Sequence, residues 1–551
     1  MSIGEDRKRK LGRIRTLIYG RTAIIMVAFL AQLGMLAVGY YWLRGYNFVF
    51  YWLFVTITVI AIVHVFNTGE NPDMKLSWMF PIAVFPVFGA IFYLAIILQP
   101  GTKVLYGRQR EMSARTKKYV RPDRAVWEKL RADSPQMGQL AHYLYSCDNS
   151  PVYEHSTVTY YALGDEQFPH MVEELKKAED YIFMEFFIVS PGYVWDTLLE
   201  ILLEKVKEGV EVRFLYDGTC VLWYLPSYYP LLLEQEGIQC RMFSPIKPIF
   251  SPHYNNRDHR KIVVIDGKVA FTGGINLSDE YINRKPRFGH WKDAGVMVKG
   301  EAVERFAYMF LEMWNMSEGS APKKRKGSSV DAGGTGREPS GTALVHAARQ
   351  QGEEDYGKYR RARENALPGD GYVIPYSVCP LGPERVGERV YLDIIHTAHT
   401  YVHIMTPYLI LDYQMLMALR YAARRGVEVV IIMPHIPDKK YAFLLAKTYY
   451  NQLLEAGVRI CEYEPGFVHA KVFVSDDCKA VVGTVNLDYR SLYHHFECGL
   501  VLYQNSQVAL IERDVQDTLS KCLEVIPQDY GRLHLWERAL GRIMRIVAPL
   551  M

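Results

Sequence analysis

"HRKIVVIDGKVAFTGGINL" (His259–Leu277) and "HAKVFVSDDCKAVVGTVNL" (His469–Leu487) are two copies of one pattern. Each opens on a His and a Lys two residues apart, continues as an apolar run of strand length, turns, and ends on Gly and Asn. In register, His259 matches His469 and Lys261 matches Lys471. Asp266 and Asp476 fall seven residues after each His, Gly273 and Gly483 fourteen, and Asn276 and Asn486 seventeen. A carboxylate then precedes an x-Gly-apolar strand in each copy: Asp293 in "WKDAGVMV" and Glu497 in "HFECGLVL". One H-x-K arises by chance in many chains. Two that share five positions and their strand context indicate an internal duplication.

The flanking sequence extends the duplication. "YIFMEFFIV" (Tyr181–Val189) is a short apolar run of strand length. "VWDTLLEILLEKVKEGVEVRFLYD" then has apolar residues at helical spacing, a stop at Gly209 and a second strand. "YVHIMTPYLI" (Tyr401–Ile410) and "MLMALRYAARRGVEVVIIMP" repeat the order with Gly426 as the stop, and "GVEV" marks the same joint in both. Strand, helix and strand in that order make a βαβ unit. The predicted fold is α/β: two βαβ-rich halves, residues 150–317 and 368–551, related by a pseudo-twofold axis. Residues 318–367 read as a disordered tether. "SEGSAPKKRKGSSVDAGGTGREPSG" (Ser317–Gly341) has too few apolar side chains to fold, and its "KKRK" reads as a solvated charge run.

Residues 1–110 read as a membrane region of two to three helices. Ala23–Leu43, Phe48–Phe66 and Ser77–Leu98 are apolar runs near the length needed to cross a ~30 Å hydrocarbon layer. Pro81, Pro86 and Gly89 would kink the third. Seven Lys/Arg precede the first run and ten lie between Lys103 and Arg131 against three acids, so both flanks favour the cytoplasmic side. Three full spans would separate them. The expectation is a multi-pass protein of the cell membrane with a cytoplasmic catalytic body. A formal charge of +4 over 551 residues argues against nucleic acid as partner. Eight cysteines without a C-x-x-C spacing suggest neither zinc nor a redox pair. "LWERALGRIMRIVAPLM" (Leu535–Met551) is a basic amphipathic segment that suits a membrane surface or a face of the second half equally well.

His and Lys at i and i+2 point to one face of extended chain. Two such pairs meeting at a pseudo-twofold axis give two imidazoles, two ammonium groups and two amides in one cleft, a set suited to a phosphodiester. Lys261, Lys471, Asn276 and Asn486 would hold the non-bridging oxygens. One imidazole would attack phosphorus and the other would serve as acid and then base. Asp293 and Glu497 are the candidates to orient His259 and His469. Asp266 and Asp476 belong to the same catalytic motif, and their place at the turn ending the first strand suggests a mainly structural part. No metal or other cofactor is expected.

The motif H-x-K-x4-D…G-x-x-N resembles that of the phospholipase D superfamily. Within it the chain is similar to bacterial cardiolipin synthases over nearly its whole length. "WMFPIAVFPVFGAIFYL", "NNRDHRKIVVIDG", "YEPGFVHAKVFVSDD" and "GTVNLDYRSLYHHFECGL" carry the similarity. The resemblance implies transfer of a phosphatidyl group between two phosphatidylglycerols, releasing glycerol, at a lipid bilayer. It also implies His259 as nucleophile and His469 as general acid and base; the residues themselves leave the swap open. A hydrolase releasing phosphatidic acid would use the same groups. A nuclease would be soluble and strongly basic, and an inert scaffold would not keep both motifs intact. The sequence does not set the oligomeric state.

Overall fold

The computed structural model describes residues 34, 47–85, 88–97, 100–245, 256–317, 354–359, 367–526 and 535–550. The first half contributes β1 (Ser156–Tyr161), β2 (Tyr181–Phe186), β3 (Glu211–Asp217), β4 (Gln239–Phe243), β5 (Arg257–Asp258), β6 (Ile262–Ile265), β7 (Val269–Gly273), β8 (His290–Lys292) and β9 (Gly295–Gly300). The second contributes β10 (Tyr372–Val378), β11 (Tyr401–Met405), β12 (Glu428–Pro434), β13 (Arg459–Tyr463), β14 (Gly466–Val468), β15 (Val472–Ser475), β16 (Lys479–Gly483), β17 (His495–Tyr503) and β18 (Cys522–Glu524).

The two sheets share a topology. One runs β1-β9-β7-β6-β2-β3-β4 and the other β10-β17-β16-β15-β11-β12-β13, with β18 added at its edge. In each, three parallel strands (β2-β3-β4, β11-β12-β13) come from the βαβ units, and the duplicated motif supplies an antiparallel hairpin beside them. Helices Tyr193–Lys207 and Tyr413–Arg424 are the expected crossovers, and Gly209 and Gly426 each take φ of +94° where they stop. That left-handed conformation is inexpensive only for glycine.

The sheets bury their inner faces together. Phe183, Val264 and Val298 of the first share one apolar cluster with Val430, Val474 and Leu500 of the second, along with most of the helix Val303–Met316. The halves are therefore joined by a continuous core, the arrangement that a large shared apolar area favours over independent motion.

The tether expectation needs correction at its end. Residues 354–359 pack onto the first half: Tyr356 and Tyr359 are buried, and Glu354 binds the Arg213 guanidinium through two bonds of 3.0 Å. The aromatic rings supply the apolar area that the Gly/Ser-rich stretch lacks. Residues 318–353, with the "KKRK" run, lie outside the described residues.

The N-terminal region also differs from the expectation. Apart from Gly34, the first apolar run lies outside the described residues. The second forms the helix Asn47–Phe66, and the third contributes two helices, Pro72–Val84 and Phe88–Ile97. Among the described residues no helix is long and apolar enough to cross a membrane, so the expected spans are not displayed there. Ala61, Val65, Ile82 and Ala90 close a small core, while Phe48, Trp52, Ile60, Leu76 and Phe80 remain exposed. The C-terminal helix Leu535–Val547 takes the second of the two places open to it, on a face of the second half. It packs on Lys440–Leu454, with Arg545 4.3 Å from the Tyr449 ring, and still exposes Trp536 and Ile543.

Candidate active site

The two H-x-K triplets do not lie inside strands. Each is the extended link that enters a motif hairpin, between β5 and β6 in the first half and between β14 and β15 in the second. Each link is held by the opposite half. β5 pairs in parallel with the start of β17, and the His259 N–H donates to the Phe496 carbonyl at 2.9 Å. β14 pairs in parallel with β8, and the His469 N–H donates to the Lys292 carbonyl at 2.6 Å. The residue after Phe496 is Glu497, and the residue after Lys292 is Asp293. This exchange of edge segments therefore delivers each imidazole to the other half's carboxylate.

The pairing follows. His259 Nδ1 lies 2.8 Å from Glu497 Oε2, and His469 Nδ1 lies 2.6 Å from Asp293 Oδ2. Both carboxylates are fully buried. With Nδ1 engaged, Nε2 is the nitrogen each ring has left for chemistry. Lys261 Nζ donates to the His259 carbonyl at 2.5 Å, and Lys471 Nζ donates to the His469 carbonyl. The two motifs share one electrostatic environment, since the charges of Lys471 and His469 both act on His259.

The carboxylates reach their rings by different means. A side chain on Gly274 would place its Cβ 1.9 Å from Asp293 Oδ1, so only glycine leaves room there. At the matching position Thr484 instead donates to Glu497 Oε2 at 2.5 Å. Tyr281, Trp291 and Phe467 surround His469, their ring centroids 5.4–5.8 Å away. Phe187 stands 4.8 Å from His259 and 5.7 Å from Lys261 Nζ.

Burial is the largest single influence on each of six groups, and it sets the direction for five of them. It holds His259 well below 6.5, helped by the charge of Lys261. It takes His469 down to about 4, helped by Lys471 and opposed by Asp293. Burial also takes Lys261 to about 8 and Lys471 to about 7. The carboxylates diverge. Burial pushes Glu497 well up, with Lys261 opposing. It pushes Asp293 up too, but His469 and Lys471 outweigh it and hold that carboxyl below its ordinary value. The His469 pair is thus an imidazole beside a firm carboxylate, whereas the His259 pair disfavours charge on both members.

Not every residue expected in the site reaches it. Asp266 and Asp476 stand at the far end of the motif strand, about 16 Å along the chain from the lysines. Asp266 accepts the N–H groups of Glu179, Asp180 and Tyr181, and Asp476 those of His399, Thr400 and Tyr401. Both are turn residues with positive φ, which corrects their place in a catalytic set. Asn276 is committed as well: its carbonyl oxygen accepts from Ile188 N and its amide donates to Tyr281 Oη at 2.8 Å. Its partner Asn486 keeps a buried carbonyl oxygen with no hydrogen bond among the described residues.

One buried group escaped the sequence reading. His495 lies beside His259, ring centroids 5.4 Å apart, and its position two residues before Glu497 on a strand was the available signal.

Comparison with known proteins gives the chain its family. Residues 171–314 and 391–519 match the family model described as "Cardiolipin synthase, PLD-like domain", and residues 56–96 match "Phospholipase_D-nuclease N-terminal". A cardiolipin synthase of Halalkalibacterium halodurans is 30% identical over 547 residues, covering 96% of this chain and 99% of that one. This chain belongs to the cardiolipin synthase family. It is accordingly a phosphatidyltransferase of the phospholipase D type. A protein of Streptococcus mutans is 43% identical over 491 residues, covering 89% of this chain and 99% of its own. The crystal structure of phosphatidylserine synthase from Haemophilus influenzae shares the fold, with a TM-score of 0.52 at 13% identity over 75% of this chain and 97% of that one.

Proposed function

We propose that this enzyme makes cardiolipin by transferring a phosphatidyl group from one phosphatidylglycerol to the terminal hydroxyl of another. The observation that carries the reading is the cross-half pairing: two imidazoles, each oriented by the other half's carboxylate, with Nε2 left for chemistry.

In the first step His259 Nε2 attacks phosphorus and the bond to the leaving glycerol oxygen breaks. Nδ1 carries the ring's proton, so Nε2 keeps its lone pair; as positive charge grows on the ring, Glu497 takes up the Nδ1 proton. A carboxyl whose burial disfavours charge suits that part. The leaving alkoxide takes its proton from His469. That imidazole is neutral in the free enzyme at pH 7, and it acquires the proton as the anionic phosphodiester enters and offsets the lysine charges. In the second step His469 takes the proton of the acceptor hydroxyl, whose oxygen attacks phosphorus as the P–N bond breaks. Lys261 and Lys471 stabilise the oxygens that gain charge at both transition states.

The lysines set the alkaline limit. Their active form is the ammonium, and in the free enzyme it is lost as pH rises through about 7 for Lys471 and about 8 for Lys261. We expect kcat/KM to fall by about tenfold or more between pH 7 and 9, and the acid limb to lie well below pH 6.5, where protonation takes the His259 lone pair. A kcat/KM profile that stays flat through pH 9 would remove the lysines from the reaction.

Membrane contact is part of the proposal. Phe48, Trp52 and Ile60 on one N-terminal helix, with Trp536 and Ile543 on the C-terminal one, give exposed apolar area that a bilayer would cover. The decisive assay supplies labelled phosphatidylglycerol in liposomes with a chelator. Equimolar glycerol and a four-chain lipid support transfer between lipids; phosphatidic acid as the main product makes the enzyme a hydrolase instead.

A further inference from the structure

The proposed mechanism uses His259 and Glu497 and leaves His495 without a task. His495 is 6% exposed, and neither ring nitrogen has a hydrogen-bond partner among the described residues. An imidazole sealed in this way forgoes bonds it would make in water, a cost that a ligand on the ring would recover. Glu497 Oε1 is likewise without a hydrogen bond among the described residues and stands 3.6 Å from His495 Nδ1. Glu497 Oε2 stands 2.8 Å from His259 Nδ1. Ligand atoms from the three residues all lie within 4.8 Å of one another.

These distances bracket a tetrahedral metal site. With bonds of about 2.0–2.1 Å to nitrogen and oxygen, tetrahedral Zn²⁺ spaces its ligand atoms by about 3.3 Å. We propose that His259, His495 and Glu497 form a zinc site that switches the enzyme off. Two imidazoles and one carboxylate suit zinc and neighbouring transition ions, whereas magnesium and calcium prefer oxygen donors. The ion enters between His259 Nδ1 and Glu497, the proton shared by that pair leaves to solvent, and His495 supplies the third ligand. The nearby ammonium groups of Lys261 and Lys471 oppose the ion, which favours reversible binding over permanent occupancy.

Inhibition rests on the reading of His259 as nucleophile. A metal on Nδ1 draws lone-pair density from the ring and ties up Glu497, so charge that forms as Nε2 bonds to phosphorus goes unanswered.

Binding and inhibition are read separately. Purified full-length protein in detergent is titrated with Zn²⁺ by calorimetry and with Co²⁺ by visible absorption, where a tetrahedral nitrogen–oxygen site gives a characteristic d–d band. Turnover is then measured against Zn²⁺ with and without chelator, each variant relative to its own zinc-free rate. We expect one ion per chain, loss of activity that chelator restores, and no inhibition by Mg²⁺. His495→Asn should weaken both binding and inhibition by about tenfold or more, with His495→Gln as the second variant should the first fold poorly. Absence of the Co²⁺ band, or unchanged Zn²⁺ affinity in a folded His495 variant, overturns the site. Binding at the site without inhibition leaves the site standing and overturns the inhibitory role and, with it, the nucleophile assignment.

Discussion

His259→Asn lowers turnover by about 10⁴-fold or more, with little change in the thermal midpoint. The asparagine keeps a polar group beside Glu497, so the buried carboxyl still has a hydrogen-bond partner. What is lost is the nitrogen that bonds to phosphorus, and no side chain in the cleft replaces it. His469→Asn should behave differently. Losing a general acid costs ~10²–10⁴-fold with a glycerol leaving group, and much less when the leaving group departs without a proton. A phosphodiester carrying a nitrophenolate therefore separates the two residues: His469→Asn should release a burst of nitrophenolate and accumulate phospho-enzyme, and His259→Asn should give neither. The opposite pattern would exchange the two parts. The residue types alone give no basis for the choice, because the motif reads almost identically in both halves. The carboxyls break that symmetry, one firmly ionised and the other inclined to take up a proton.

Much of this site was legible before any coordinates. Period two in extended chain placed each Lys with its His, and duplication implied that the pairs would meet. Asp293 and Glu497 were found by their place before a strand, but the choice of which ring each serves depends on exchanged edge pairing. β5 and β14 are too short to carry a pattern of their own. Asn276 looked like a phosphate ligand because its partner sits at the same offset. The identity of residue 281 decides otherwise, since the Tyr281 hydroxyl claims the amide. His495 was hidden by its neighbour: in "HHFE" only the register of β17 tells which histidine turns toward Glu497. The third apolar run shows the break that its prolines announce, as the separate helices Pro72–Val84 and Phe88–Ile97.

The residue between His259 and Lys261 carries the other large expected effect. Successive side chains in extended backbone face opposite ways, so the alternation that sends those two into the cleft sends Arg260 into the core. There it lies 2.7 Å from Glu185 Oε1 and 3.6 Å from Asp258 Oδ1, and all three side chains are buried. Burial pushes both carboxyls up and Arg260 opposes it. Arg260→Met leaves two neighbouring carboxyls without their cation, and we expect a loss of about 3–5 kcal/mol in chemical denaturation, the usual cost of removing one member of a buried pair. Adding Glu185→Leu should recover part of that loss, because the second variant removes the stranded charge as well. The pH dependence gives an independent sign. With Arg260 gone, the folded-state pKa values of Glu185 and Asp258 rise further above their unfolded values. A raised carboxyl pKa makes the folded state bind more protons than the unfolded one, so stability is present at low pH and is lost as pH rises. The deficit of Arg260→Met relative to wild type should therefore shrink as pH falls from 7 to 5 and disappear in part from the double variant's profile. A loss below about 1 kcal/mol, or a deficit that grows on acidification, would mean that the guanidinium is not what holds these carboxyls.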